Sequence, residues 1–254
     1  MDTGPVAARP TWNALAARMP ASLVGRAVRA IYPRVEPELA KLSDYLPRGG
    51  TAVDVGGWFG PWTQRLLTLA DRVVTIEAVP VMADLLRRTF PHAQVVQAAA
   101  SDQCGRTRIW IPRTGPYPGT STLRTISGTP ITVPEITLDS LELKNVRFIK
   151  MDIEGHELAA LHGARQTIER DLPHLLLELE SRHQDVALVL DLLTILGYTG
   201  HVFADDRWTP LDRFDLIGHQ QATVHQLQRS LVSRALRPGR RYINTVLFTP
   251  DCNV

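Results

Sequence analysis

Acidic side chains follow several of the short apolar segments in this sequence, at positions where they could hold a cation or accept a proton. Asp152 and Glu154 come at the end of one such segment, and Glu178 comes at the end of the next. Neighbouring parallel strands lie about 4.8 Å apart, so these carboxylates could converge on one small volume. Carboxylates that converge repel each other unless a divalent cation or a shared proton offsets their charge.

Two chemistries therefore stay open for this acidic cluster. In the first, Asp152 and Glu178 are the ligands of a magnesium or manganese ion, which oxygen ligands suit. In the second, one carboxylate is a general base, with Glu154 in support, His183 as a reserve base and Lys150 as a further catalytic candidate. The plain alternative is that these acids only cap helices and pair with nearby arginines.

A glycine turn follows the first predicted strand, over residues 51–55. Gly56, Gly57 and Gly60 lie in this turn, and glycine allows a backbone to approach a ligand closely. The spacing is not the G-x-G-x-x-G of dinucleotide-binding proteins. Asp54 precedes the turn, where a carboxylate would repel a pyrophosphate but attract a cofactor with a positive centre and an amino group. The turn therefore favours S-adenosylmethionine over NAD, unless it is an ordinary strand-to-helix turn.

The next two predicted strands supply candidates for the adenosine part of such a cofactor. Glu77 ends the second strand, where an acid can accept hydrogen bonds from both ribose hydroxyls, and Ala78 follows it. Ala99, Ser101 and Asp102 come after the third strand and are placed to contact the adenine.

The elements that must position these residues alternate along the chain. The patterns predict strands near 51–55, 72–77, 94–98, 146–152, 174–180, 198–203 and 242–249 and helices near 60–70, 80–90, 156–170 and 184–196. This alternation predicts a Rossmann-like α/β fold, with a mostly parallel seven-stranded sheet and helices on both faces. Residues 1–47 are expected to form an N-terminal helical appendage, with one domain over residues 48–254.

A segment rich in proline and glycine interrupts this alternation at residues 112–135. A strand pair is expected at 106–111 and 131–136, with a loop between the two strands. Because the loop lies beside the edge where ligands bind in such sheets, we expect it to close over the acceptor as a lid. The expected contact residues within the lid are Ser121, Thr122 and Arg124.

Composition excludes several classes of protein. The net charge is only +2, so bulk electrostatics give no case for a nucleic-acid partner. No apolar run approaches the roughly 18 residues that a membrane span needs. The two cysteines, Cys104 and Cys252, lie far apart and predict neither a disulfide framework nor a zinc site. We therefore expect a cytoplasmic protein.

The acidic strand ends and the glycine turn together resemble the FkbM family of S-adenosylmethionine-dependent O-methyltransferases. The matching motifs follow the family's order over residues 51–249: Val53-Asp54-Val55-Gly56 with Gly60, Glu77, Thr137-Leu138-Asp139, Lys150 to Glu157, Leu161-His162-Gly163-Ala164, Pro173 to Glu178, and Tyr242 to Phe248. One departure is that Gly57 and Trp58 stand where the family usually has a small residue and then asparagine.

The resemblance implies a class I methyltransferase domain over residues 48–254. It also implies that the partner is a hydroxylated small molecule or saccharide. The methylated hydroxyl group would belong to a sugar, polysaccharide or glycosylated natural product. The protein could also form a homodimer.

Two other classes of function remain open, an NAD-linked oxidoreductase and a non-catalytic nucleotide-binding adaptor. Binding and turnover of S-adenosylmethionine would distinguish a methyltransferase from both.

Overall fold

A computed structural model of the protein describes residues 19–112, 128–236 and 239–251. The expected lid contacts Ser121, Thr122 and Arg124 lie outside these residues, and so does Cys252, so the lid remains a prediction. Among the described helices, none combines the length and the apolar character that crossing a membrane would require.

The central sheet has eight strands among the described residues. In spatial order they are β10 (Arg207–Pro210), β9 (Tyr198–Ala204), β11 (Thr245–Pro250), β8 (His174–Glu178), β7 (Val146–Met151), β1 (Thr51–Val55), β2 (Arg72–Ile76) and β3 (Gln94–Val96). The five strands from β8 to β3 pair in parallel, while β11, β9 and β10 pair antiparallel. The predicted mostly parallel Rossmann-like sheet is therefore confirmed.

The predicted count of seven strands is wrong by one strand. The additional strand, β10, forms a hairpin with β9 through Asp205 and Asp206, which both have positive φ values, of 48° and 59°. Two adjacent residues with positive φ are typical of a tight turn between antiparallel strands. A four-residue strand after two aspartates leaves too short an apolar pattern for sequence analysis to detect.

Apolar layers cover both faces of the sheet, which explains why the central strand β1 is buried throughout its length. The α-helices among the described residues are α1 (Ala21–Ile31), α2 (Pro37–Ala40), α3 (Leu42–Tyr45), α4 (Pro61–Leu66), α5 (Pro80–Thr89), α6 (Glu157–His162), α7 (Arg165–Asp171), α8 (Val186–Ile195), α9 (Leu216–Thr223) and α10 (Leu231–Leu236). One layer joins Val53 and Val55 to α6, α7 and α8. The other joins Ala52 and Phe148 to α3 and α4. Because side chains alternate along a strand, Asp54 and Lys150 lie on this second face.

A second, three-stranded sheet stands beside the first. It consists of β4 (Ala99–Ala100), β6 (Gly128–Ile136) and β5 (Gly105–Pro112), with β5 and β6 forming an antiparallel pair. The expected strand pair at 106–111 and 131–136 is confirmed. The segment that follows β3 passes into this second sheet, so the third strand of the main sheet ends earlier than predicted.

The described part of the N-terminal segment packs directly on the core. Val24 and Val28 of α1 are buried against Phe59. Glu38 in α2 is fully buried and accepts two hydrogen bonds of 2.7 Å from the Arg241 guanidinium, just before β11. This ion pair ties the N-terminal segment to the far end of the chain. The division into residues 1–47 and 48–254 stays a prediction.

We predict that Arg241→Ala lowers the free energy of unfolding by about 3–5 kcal/mol, because it leaves the Glu38 carboxylate buried without its partner. Urea denaturation measures the change. The matched control is Arg87→Ala, which removes an exposed ion pair with Asp84 and should cost no more than about 1 kcal/mol. Equal losses in the two variants would contradict a structural role for the buried pair.

Candidate functional site

A cavity of about 430 Å³ lies at the carboxyl ends of the parallel strands. This is the edge at which open α/β sheets bind ligands. Several of the sequence-predicted site residues line it: Gly56, Glu77, Ala78, Ala99, Asp152, Glu154 and Glu178. The other predicted residues do not line it: Asp54, Gly57, Gly60, Ser101, Asp102, Lys150 and His183. The structure thus divides them into residues that face the cavity and residues that lie behind its wall.

Glu77 fixes the glycine turn to the end of β2. One carboxylate oxygen accepts a hydrogen bond of 2.8 Å from the backbone N–H of Trp58, and the other accepts one of 2.8 Å from Val79. Burial raises the pKa of Glu77 above its ordinary value, while these two N–H groups act in the opposite direction. The side chain still borders the cavity, so it can also accept hydrogen bonds from a ligand.

Glycine is required at the start of this turn. Gly56 has a φ of 84°, and a Cβ atom there would lie 2.0 Å from the carbonyl oxygen of Asp152. A Cβ on Gly57 would meet the Thr75 side chain, and one on Gly60 would meet the Phe90 ring. Gly57 and Gly60 therefore allow the turn to pack against its neighbours, whereas Gly56 lines the cavity itself.

A row of polar side chains crosses three strands behind the turn. Asp54 is paired in register with Thr75 on one side and with Lys150 on the other. The Lys150 ammonium lies 3.6 Å from Asp54 Oδ1 and 3.6 Å from Asp152 Oδ2, and it donates a hydrogen bond of 3.0 Å to the carbonyl oxygen of Gly56. Thr63 donates a hydrogen bond of 2.6 Å to Asp54 Oδ2. These contacts explain how charged groups are tolerated inside the sheet.

The charges of this row stabilise one another. Burial lowers the pKa of Lys150, but Asp152 and Asp54 more than offset that effect, so its pKa lies above the ordinary value. Burial raises the pKa of Asp54, and Lys150 and Thr63 counteract the rise only in part. Lys150 therefore remains an ammonium group, which suits a role in holding carboxylates and not in accepting a proton.

The expected convergence of Asp152 and Glu178 is present, since the two residues directly follow the paired positions Met151 and Leu177 of β7 and β8 and both line the cavity. Burial raises the pKa of Glu178 well above its ordinary value, and the charges of Asp152 and Glu36 raise it further. The Asn244 side-chain amide donates to one oxygen of Glu178 and, at 3.1 Å, to Glu180. Glu178 is therefore a buried carboxyl group whose surroundings disfavour its ionised form.

The predicted magnesium or manganese site is not supported. Within the three described ranges, no group of three or more histidine, cysteine, aspartate or glutamate side chains is arranged to hold a metal ion. The cation beside Asp152 is the Lys150 ammonium, which lies 3.6 Å from its carboxylate. Lys150 thus offsets part of the charge that a metal was expected to offset.

His183 reaches the cavity only through another side chain. Its Nδ1 atom lies 3.1 Å from Glu154 Oε2 and 3.7 Å from Glu180 Oε2. Glu154 does line the cavity, and its φ of 56° places it in the tight turn that follows β7. Glu180 also accepts a hydrogen bond from Arg182. His183 is therefore positioned to orient Glu154.

Ser101 and Asp102 contact the cavity wall from behind. The Ser101 hydroxyl lies 3.0 Å from the Nε2 atom of His156 and donates a hydrogen bond of 3.1 Å to Asp102. His156 borders the cavity, close to the strand end that includes Ala99. An adenine that contacts Ser101 and Asp102, as predicted, would therefore lie next to His156.

Sequence analysis missed two polar cavity residues in the N-terminal segment, Tyr32 and Glu36. The Tyr32 hydroxyl donates a hydrogen bond of 2.6 Å to one oxygen of Glu36, and Trp62 Nε1 donates one of 3.1 Å to the other. Both Tyr32 and Glu36 line the cavity. Nothing around Glu36 in the sequence marks it as a site residue. Asn244 differs, because it is the asparagine within the Tyr242 to Phe248 motif and could have been recognised from that motif.

Comparison with known protein families gives one matching family model. A family model described as the methyltransferase FkbM domain matches residues 53–199, which is more than half of the 254 residues. No curated protein matches the sequence significantly.

Solved structures with a similar arrangement include other methyltransferases. The methyltransferase FkbM of Methylobacillus flagellatus KT is 22% identical and gives a TM-score of 0.48; the alignment covers 75% of this chain and 52% of that one. The present chain thus spans about half the length of that structure. The DhpI–SAH complex is 14% identical, covering 92% of this chain and 96% of that one, with a TM-score of 0.42. A TehB-like SAM-dependent methyltransferase from Corynebacterium glutamicum is 14% identical, with coverage of 71% and 84% and a TM-score of 0.40.

We predict that Lys150→Met lowers the free energy of unfolding by about 3–5 kcal/mol, because Asp54 is then buried without a cation. Chemical denaturation measures the loss. The double variant Asp54→Asn, Lys150→Met should regain part of it, since the unpaired buried charge is then gone. If single and double variants lose the same free energy, Lys150 does not act through Asp54.

Proposed function

Because the chain belongs to the FkbM methyltransferase family, we propose that it is an S-adenosylmethionine-dependent O-methyltransferase. The acceptor in this proposal is a hydroxyl group of a sugar, polysaccharide or glycosylated natural product. The observation that carries the proposal is the cavity at the strand ends, where Gly56, Glu77 and Asp152 all face the same space.

The chemistry of the cavity wall fits this cofactor. S-adenosylmethionine has a positive sulfonium centre and an ammonium group, and among the described residues the cavity is lined by six carboxyl side chains and three arginines, two of which pair with Glu180 and Glu38. Glu77 lies at the end of β2, where a carboxylate suits ribose hydroxyls. Ala99 borders the cavity on the side expected for adenine, and Gly56 permits close approach of the methionine part. Asp54, Gly57 and Gly60 would then act by shaping the turn.

The chain's own residues would handle the acceptor's proton. The bound cofactor supplies an electrophilic methyl group on its sulfonium sulfur. Asp152 would take the proton of the acceptor hydroxyl as general base, while the methyl group would come from the sulfonium sulfur of the cofactor. Lys150 holds Asp152 from one side, and Glu178 lies beside it at the end of the neighbouring strand. Glu154, oriented by His183, borders the same space.

Alignment supplies much of the remaining rate enhancement in this mechanism. Methyl transfer needs the acceptor oxygen in line with the methyl–sulfur bond, so fixed side chains matter more than flexible ones. Asp152 follows a buried strand, and its backbone N–H donates a hydrogen bond of 3.1 Å to the Val55 carbonyl. The base is therefore tied through its backbone to the end of the neighbouring strand β1.

We predict that S-adenosylhomocysteine binds the protein and that Glu77→Ala weakens this binding by about 1–3 kcal/mol, the cost of losing charge-assisted hydrogen bonds to the ribose. Titration calorimetry measures both affinities. The control variant is Glu169→Ala, which removes an exposed glutamate on α7 and should leave the affinity unchanged. An unaltered affinity in Glu77→Ala would remove that residue from the ribose site.

We further predict that Asp152→Asn lowers the rate of methyl transfer about 10²- to 10⁴-fold, the usual contribution of a general base. The assay follows labelled methyl groups from S-adenosylmethionine into a panel of hydroxylated saccharides. Affinity for S-adenosylhomocysteine should change little by comparison. A variant that keeps the wild-type rate would rule out Asp152 as the base. Repeating the wild-type assay with EDTA tests metal assistance, which a loss restored by magnesium or manganese would support.

A further inference from the structure

The carboxylate expected to attract the cofactor's amino group is not accessible to it. Asp54 has no exposed surface, and it is engaged by Lys150 at 3.6 Å and by the Thr63 hydroxyl at 2.6 Å. It does not border the cavity. If the cofactor's ammonium group finds an acid in this site, the acid must be one of the carboxylates on the cavity wall.

Most of the wall carboxylates already have a charged or fixed partner. Glu77 accepts two backbone N–H groups at the ribose end, Glu178 accepts a hydrogen bond from Asn244, Glu154 lies beside His183, and Glu180 pairs with Arg182. Asp152 lies 3.6 Å from the Lys150 ammonium. Each of these groups has a structural role or a counter-charge in the protein.

Glu36 differs from these acids in its partners. Its two oxygens accept hydrogen bonds from the Tyr32 hydroxyl, at 2.6 Å, and from Trp62 Nε1, at 3.1 Å. Both donors are neutral, and among the described residues no cationic side chain forms an ion pair with Glu36. The two bonds hold the carboxylate in one orientation on the cavity wall without neutralising its charge.

The position of Glu36 matches the methionine end of the cofactor. Trp62 belongs to α4, the helix that begins directly after the glycine turn, so Glu36 is fixed beside the turn that frames the methionine part. We propose that Glu36 binds the α-ammonium group of the cofactor, and that the N-terminal segment from Tyr32 to Glu36 thereby completes the cofactor site. This inference rests on the proposed methyltransferase function.

The electrostatic surroundings of Glu36 give the inference a measurable consequence. Burial raises the pKa of Glu36 to about 7; the Tyr32 hydrogen bond and Lys150 act to lower it, and the charges of Asp152 and Glu38 act to raise it. A ligand ammonium group would lower this pKa, so binding near pH 7 should release protons from Glu36. Because protonated Glu36 must lose its proton first, affinity should fall as the pH drops below about 7.

The test compares two ligands that differ at the amino-acid end. S-adenosylhomocysteine carries the ammonium group, whereas 5′-methylthioadenosine lacks the whole amino-acid part. Calorimetry at pH 7 in two buffers of different ionisation enthalpy gives the number of protons released. The wild type should release more protons with S-adenosylhomocysteine than with 5′-methylthioadenosine, because only the first ligand brings an ammonium group that favours ionised Glu36.

The variant Glu36→Gln should weaken S-adenosylhomocysteine binding about 10- to 100-fold, as expected for one lost charge-assisted contact, and abolish the difference in proton release. Its affinity for 5′-methylthioadenosine should stay within about twofold. The matched control is Tyr32→Phe, which keeps the Glu36 charge and removes only one neutral donor. It should retain the proton release.

Unchanged S-adenosylhomocysteine affinity in Glu36→Gln would overturn the inference and leave the proposed function intact. An equal loss for both ligands would also overturn it, because the effect would then not depend on the ammonium group. Should Glu36→Gln fail to fold, equal proton release by the wild type with the two ligands would still exclude the inference. A wild type that binds neither ligand would overturn the proposed function itself.

Discussion

A buried ammonium group is the interaction on which this site depends. Lys150 lies inside the sheet between the carboxylates of Asp54 and Asp152, and it also binds the carbonyl oxygen of Gly56. Removing charges from water costs several kcal/mol per ion, so such a row persists only when every member has a partner. The register of β1 and β7 provides the partners directly, because Asp54 is opposite Lys150. One lysine thus holds together two strand ends and the turn that follows them.

The same lysine sets the electrostatics of the cavity. Lys150 is paired with Asp54 behind the wall and with Asp152 on it. Among the described residues the cavity is lined by six carboxyl side chains and three arginines, and two of these arginines pair with Glu180 and Glu38. Burial and neighbouring charges raise the pKa of Glu178 well above its ordinary value and that of Glu36 to about 7. A cavity of this kind suits a cationic ligand and a reaction that must remove a proton, which is what methyl transfer to a hydroxyl group needs.

The parts of this arrangement that follow from local sequence were predictable. The buried strands, the glycine turn and the acids Glu77, Asp152 and Glu178 follow from short apolar runs and the residues directly after them. The part that depends on distant contacts was not predictable. Glu38 and Arg241 are 203 residues apart, and no local pattern indicates that they meet. Their ion pair helps to place the N-terminal segment, so the contribution of Glu36 to the site was hidden as well.

Determining the structure of the protein with S-adenosylhomocysteine tests the central claim most directly, namely that this acidic cavity is the cofactor site. The account predicts that the ribose hydroxyls bind Glu77, that the sulfur faces Asp152, and that the ligand lies against Gly56. A complex in which the ligand lies outside this cavity, or in which the ribose is far from Glu77, would contradict it.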